Sequence, residues 1–139
     1  MMEAKVKYVD GLQFVGEASS GHALVMDGDT KFGGSNTAVR PTELLLIGLG
    51  GCSGMDVVSI LKKKQQEIKG LEIHVKGEKA ETYPQRFTDI TIEFVVTGSK
   101  ISEEAVKRAI ELSMEKYCSV KATIEGSAKI TFSYSIVEV

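Results

Sequence analysis

Pro41-Thr42-Glu43-Leu44-Leu45-Leu46-Ile47-Gly48-Leu49-Gly50-Gly51-Cys52-Ser53-Gly54-Met55-Asp56 is the stretch on which the fold turns. Pro41 suits the first position of a helix, where a missing N–H leaves nothing unpaired. Glu43 follows in the first turn, at the end of the helix dipole that favours an anion. From Leu44 to Met55 the side chains are apolar or small, and Asp56 then interrupts the run. A membrane span takes about 20 apolar residues, so the run is too short for one and a buried central helix fits better. The helix continues amphipathically through Val57, Val58, Ile60 and Leu61, turns polar near Gln65, and has Gly70 as its expected C-cap. Gly48, Gly50, Gly51 and Gly54 each cost about 1 kcal/mol relative to alanine inside a helix. Two arrangements would offset that cost. Another backbone, such as the same helix of a second copy, approaches closely; or the helix breaks and leaves Cys52 at a fresh N-terminus, whose free N–H groups favour a thiolate. The residues leave both open.

Before this helix, Lys5–Val9 and Leu12–Glu17 flank Asp10-Gly11, a short-hairpin signal in which both turn residues take positive φ. A third strand, His22–Met26, ends at a second Asp-Gly, Asp27-Gly28, and the polar, Gly-containing segment up to Arg40 reads as a loop. After it, Leu71, Ile73 and Val75 alternate with Glu72, His74 and Lys76, and Ile90, Ile92, Phe94 and Val96 alternate in the same way, so Leu71–Glu78 and Asp89–Thr97 are expected as half-exposed antiparallel strands. Ser102 caps a second helix with Glu103 and Glu104 in its first turn. Its apolar stripe runs from Ala105 through Leu112 and Ser113, and the helix is expected to end near Tyr117-Cys118. Ile124–Val139 closes the chain as one or two strands, with Ile130, Phe132, Tyr134 and Ile136 on one face. Strands and helices mix without βαβ alternation, which makes the class α+β.

A chain of 139 residues points to a single domain, residues 1–139. Aromatics are 6% of it and Trp is absent, so Val, Ile, Leu and Met must build the core. The net charge of −2 argues against nucleic acid or an anionic membrane as partner, since both call for a basic face. The basic cluster Lys62, Lys63 and Lys64 falls where cations favour a helix C-terminus. Residues Met1–Tyr8 have no apolar segment of the signal-peptide kind. Two cysteines far apart in the chain make no disulfide scaffold, so a reducing, cytoplasmic location is expected; there, a cysteine pair that bonds is more often catalytic or transient than structural.

The candidate chemistry centres on Cys52 and Cys118. Gly48 to Gly54 is not a phosphate loop, because Cys52 follows Gly51 where Gly-Lys-Ser/Thr is required, and not a dinucleotide fingerprint, because Ser53 stands at the third glycine. No CxxC or HxxxH spacing supports a metal, and no cofactor is expected. Ser53 lacks a GxSxG elbow. Taken alone, each cysteine reads most simply as a small buried hydrophobe, and a Cys–His pairing with His22 has no support beyond composition. His74 shares its strand face with Glu72 and Lys76, which points to solvent.

The stretch from Pro41 to Ser53 resembles the central helix of the OsmC/Ohr family, and Glu115-Lys116-Tyr117-Cys118-Ser119-Val120 resembles that family's second cysteine segment. The order and spacing of the two cysteines match as well. The opening strands, with Gly16-Glu17-Ala18-Ser19-Ser20-Gly21-His22, and the strand at Phe87-Thr88-Asp89-Ile90 are similar to the YhfA-type branch. The resemblance implies an OsmC-like α+β fold in which antiparallel strands wrap around a long apolar central helix. It also implies an intertwined homodimer, with the two central helices at the dimer core.

By the same resemblance the protein is a thiol-dependent reductase of organic hydroperoxides. Cys52 attacks the peroxide and becomes a sulfenic acid, and Cys118 condenses with it to a disulfide. An external dithiol, of lipoyl or thioredoxin type, restores both thiols. The alternative within the resemblance is a thiol protein that is not a peroxidase: a redox sensor, a sulfur carrier or a binder of small apolar ligands. A thiol near pKa ~8.5 is mostly protonated at neutral pH, and the family's peroxidases use an Arg and a Glu to favour the thiolate. Their acid position falls on Thr42 here, with Glu43 one place later, about 100° around a helix. Arg40 and Arg86 are the candidate cations.

Overall fold

Strand β5, Phe87–Gly98, is the middle strand of the larger of two sheets in the computed structural model, which describes all residues Met1–Val139. The chain divides into two compact units, Met1–Leu45 and Leu46–Val139.

In the second unit β5 pairs antiparallel with β4, Ile68–Lys79, and parallel with β6, Lys129–Glu138. The alternation read from the sequence is the alternation observed. Cross-strand partners such as Ile73 and Phe94, or Phe94 and Tyr134, carry the apolar side chains on one face. Ile90, Ile92, Phe94 and Val96 are fully buried there, whereas Thr91 and Glu93 face out. The parallel pair departs from the expected antiparallel arrangement. A parallel neighbour needs a crossover of a dozen or more residues, and the segment from Ser99 to Ala128 supplies it. That segment holds helix α2, Glu103–Leu112, and a short helix α3, Ser119–Ile124. Ser102 caps α2 as expected, its hydroxyl accepting the Ala105 N–H at 3.2 Å. Of the closing segment from Ile124, only β6 is strand, and Phe132 is 40% exposed whereas Ile130, Tyr134 and Ile136 are half-buried.

Helix α1, Pro41–Lys63, is unbroken, so the fresh N-terminus at Cys52 does not exist. The glycines answer to packing instead. A Cβ on Gly50 would lie 3.1 Å from Val75, and one on Gly54 would lie 2.9 Å from Ile73. The Val75 and Ile73 side chains of β4 therefore pack against the helix so closely that alanine at either position would require them to shift. Gly48 and Gly51 have nothing within 4 Å of that position. Leu49, Ser53, Val57 and Leu61, one turn apart, form the buried edge of the helix. Leu49, Val57 and Leu61 join β5 and the α2 residues Val106, Ala109 and Ile110 in one core. Burying each large apolar side chain contributes roughly 1.5–3 kcal/mol of transfer free energy. The helix ends earlier than Gly70, which lies inside β4. Gln65 takes the left-handed position, φ 58°, while the Gln65 and Gln66 N–H groups close back on Lys62 and Leu61 carbonyls.

The first unit holds a three-stranded antiparallel sheet: β1, Ala4–Asp10; β2, Gln13–Ala18; and β3, Ala23–Met26. His22 precedes β3 rather than starting it. The β1–β2 turn is shifted by one residue from the expected Asp10-Gly11. Asp10 pairs with Gln13, the turn residues are Gly11 and Leu12, and only Gly11 has positive φ, at 57°. The second Asp-Gly forms no hairpin at all. Asp27 is buried and organises the loop that follows. Its carboxylate accepts the Thr37 hydroxyl at 2.6 Å and the backbone N–H groups of Gly28, Ser35 and Thr37.

Candidate functional site

The second cysteine reaches the first because the helix carrying it changes pitch. After α2 the chain makes one π-helical turn, Ser113–Tyr117, in which the Cys118 N–H donates to the Ser113 carbonyl at 2.8 Å. The turn accommodates one more residue than an α-turn, a local feature often found at functional sites. The helical run ends at Tyr117-Cys118, as expected, and Cys118 is also the N-cap of α3, with its Sγ accepting the Lys121 N–H at 3.4 Å. It is buried, at 5% exposure, and Cys52 is half-buried. Both thiols are free.

Cys52 Sγ, Cys118 Sγ and a carboxylate oxygen of Asp56 lie within 4.8 Å of one another. Asp56 sits one turn beyond Cys52, on the same face of α1. Its Oδ2 accepts the Ser113 hydroxyl at 2.9 Å. Ser53 Oγ lies 3.3 Å from Cys118 Sγ. The π turn thus delivers Ser113 to the acid and Cys118 to the thiol. Burial pushes the Cys118 thiol above its ordinary value. The Ser53 hydroxyl and the Lys121 N–H oppose that push by favouring the thiolate, and the adjacent Cys52 thiol adds to it.

Sequence reasoning named both cysteines and missed Asp56, Ser53 and Ser113. The signal for Asp56 was available: it is the one charged residue between Leu44 and Leu61, four positions from Cys52. The two serines carried no comparable mark. Arg40 and Glu43 lie in the Met1–Leu45 unit, where the Arg40 N–H donates to Glu43 Oε1 at 2.7 Å and closes the start of α1. The Arg40 guanidinium donates to the Ala38 carbonyl and Asn36 Oδ1, with Asp29 at 3.9 Å. Arg86 is exposed in the loop between β4 and β5. His74 pairs with Glu72 at 2.7 Å on the outer face of the sheet.

An open, largely apolar groove of about 600 Å³ runs between α1 and β4, lined by Gly50, Gly51, Gly54, Met55, Leu71 and Ile73 among others, and neither cysteine is part of its lining. It lies along the contact where the helix glycines admit β4.

Fold and site together define an α+β protein in which a free thiol on the core helix faces a second one at the start of α3. The chain belongs to the OsmC-like protein family, whose model matches residues 33–133. It is 45% identical over 136 residues, 98% of each chain, to Protein YhfA of Escherichia coli strain K12. A crystal structure of a hypothetical protein from Aquifex aeolicus VF5 superposes with a TM-score of 0.83 at 36% identity, covering 99% of this chain and 98% of that one. An organic hydroperoxide resistance protein OsmC from Legionella pneumophila superposes with a TM-score of 0.71 at 15% identity, covering 100% and 97% of the two chains. At that identity the likeness speaks to the fold alone. Helix α1 is long and apolar enough to cross a membrane by length and composition; in this family it is the core helix of a soluble fold.

Proposed function

We propose that the protein reduces organic hydroperoxides through Cys52 and Cys118, with an external dithiol of lipoyl or thioredoxin type as the reductant. The observation that carries this reading is the meeting of the two thiols within 4.8 Å, one half-buried and one buried. Cys52 is the thiol that a substrate reaches. Its thiolate attacks the peroxide, an S–O bond forms, the O–O bond breaks, and the alcohol leaves with a proton. The Cys118 thiol then displaces water from the sulfenic acid to form the disulfide. The dithiol reopens it through a mixed disulfide and is itself oxidised.

The apolar run from Leu44 to Met55, which carries Cys52, supports a hydrophobic hydroperoxide over hydrogen peroxide as substrate. A second copy of the chain completes the molecule in this reading: Ile47 and Met55 on α1 are 57% and 76% exposed, and Gly48 and Gly51 leave room for a partner helix. The location is cytoplasmic, where dithiol reductants are at hand. The open groove between α1 and β4 favours a second reading, a thiol protein that binds a small apolar ligand there without turning it over.

Counting free thiols after one equivalent of cumene hydroperoxide separates the two. Hydroperoxide reduction predicts rapid loss of both thiols in the wild type and none in Cys52→Ser. Persistence of both thiols in the wild type would leave the ligand reading. Comparable rates with hydrogen peroxide and cumene hydroperoxide would remove the claim for an apolar substrate, and a stable monomer at low micromolar concentration in sedimentation would remove the dimer.

A further inference from the structure

We propose that Cys52, Asp56 and Cys118 form a binding site for one borderline-soft divalent cation, of which Zn²⁺ is the type, with the fourth coordination position left to water or another small ligand. The three donor atoms already lie within 4.8 Å of one another. A tetrahedral zinc ion has Zn–S near ~2.3 Å and Zn–O near ~2.0–2.2 Å, which puts its ligands about 3.5–3.8 Å apart. The donors therefore need to close by only about 1 Å, within the reach of side-chain rotation.

Two of the ligands are fixed by one helix, since Cys52 and Asp56 are a turn apart on α1. The third is fixed by the π turn and the start of α3. Each of Asp56 and Cys118 also has outer partners of the kind that orient metal ligands. The Ser113 hydroxyl donates to Asp56 Oδ2, leaving Oδ1 for the ion. Ser53 Oγ and the Lys121 N–H lie against Cys118 Sγ, as donors that support a metal thiolate do. No Lys or Arg of the Leu46–Val139 unit forms an ion pair with Asp56. Three groups that can each carry a negative charge thus face one another without a counter-charge from that unit. A dication supplies it.

Binding displaces both thiol protons: M²⁺ and two S–H groups give two M–S bonds and two H⁺, and the site with its carboxylate carries a net charge of −1. Thiolate ligands select against Mg²⁺ and Ca²⁺, which prefer all-oxygen sites. Formation of a Cys52–Cys118 disulfide removes two of the three ligands, so metal occupancy and the oxidised state exclude each other. The site rests on geometry and donor chemistry and does not depend on hydroperoxide turnover.

The test uses the reduced full-length protein, without peroxide, titrated anaerobically with Co²⁺ and then with Zn²⁺. One Co²⁺ per chain should bind, with a thiolate-to-cobalt charge-transfer band and the visible bands of tetrahedral cobalt, and Zn²⁺ should displace it. Cys52→Ser and Cys118→Ser should lose the charge-transfer intensity in part and weaken binding at least tenfold. Asp56→Asn should keep two-thiolate absorption and weaken binding about tenfold or more. Thermal melts followed by circular dichroism establish that the variants are folded, and Ser119→Ala, beside the site but outside it, should titrate as the wild type does. Co²⁺ binding that survives in Cys52→Ser, an Asp56→Asn titration identical to that of the wild type, or retention by the disulfide form would each overturn the site. Thiol oxidation by hydroperoxide without any metal binding would overturn the site alone; metal binding without thiol oxidation would overturn the peroxidase reading alone.

Discussion

In Leu46–Val139 a continuous apolar cluster is assembled from α1, β5 and α2, with β4 and β6 packed against it, and all of its fully buried hydrophobic residues belong to this unit. In Met1–Leu45 the single buried residue is an acid, Asp27, and β1 is exposed along its whole length. The first unit is ordered by hydrogen bonds and a turn; the second by exclusion of water. The difference teaches where mutations matter. A cluster of fixed volume resists truncation, while a sheet with no buried side chain tolerates it and depends on its polar hub.

The largest expected effect falls in the cluster. Phe94→Ala removes a fully buried ring from the centre of the sheet and should cost about 3–5 kcal/mol in urea unfolding. A loss under about 1 kcal/mol would mean that the core is not where burial places it. Next comes the polar hub. The Thr37 hydroxyl, with the Gly28, Thr37 and Ser35 N–H groups, lowers Asp27 from the ordinary 3.8 to about 2, against the opposing effect of burial. A depressed carboxylate stabilises in its ionised form. Order in the Asp27–Thr37 loop should therefore persist above about pH 4 and fade as the pH drops towards 2. Amide exchange at Ser35 and Thr37 reads this directly. Loop protection in Asp27→Asn should be lower at neutral pH and insensitive to acid; an unchanged acid transition in that variant would assign the effect elsewhere.

A smaller effect tests the open side of α1. Gly51→Ala gains about 1 kcal/mol of helix propensity in an isolated chain. With a second copy packed against Gly51, the added methyl should instead shift sedimentation towards monomer. Smallest of all, Val25→Ala on β3, where Val25 is 40% exposed, should stay within about 0.5 kcal/mol. A larger loss would show that a partner covers the first unit's sheet.

Much of the architecture was legible because periodicity reports burial. The alternation in β4 and β5, the Ser102 cap and the start of α1 at Pro41 each have a local cause that acts within a few residues. The misses lie where distant groups decide. The alternation of β6 reads the same whether its neighbour runs parallel or antiparallel, so direction was invisible. The end of α1 fell to Gln65 rather than a glycine because two backbone hydrogen bonds secure the left-handed residue. In the site, the cysteines were found through resemblance, since each alone reads as a buried hydrophobe. Asp56 was legible in principle as the i+4 neighbour of Cys52. Ser53 and Ser113 were not, because what marks them is their distance to groups far along the chain.

The π turn at Ser113–Tyr117 has a genetic consequence. It works as a phase offset: one residue beyond the α-helical count rotates everything that follows by about 100°. A deletion of a single codon within those five residues would leave both cysteines in the reading frame and every flanking motif intact, yet turn Cys118 away from Cys52. Counting residues between cysteines therefore does not certify the pair; the turns between them have to be counted as well.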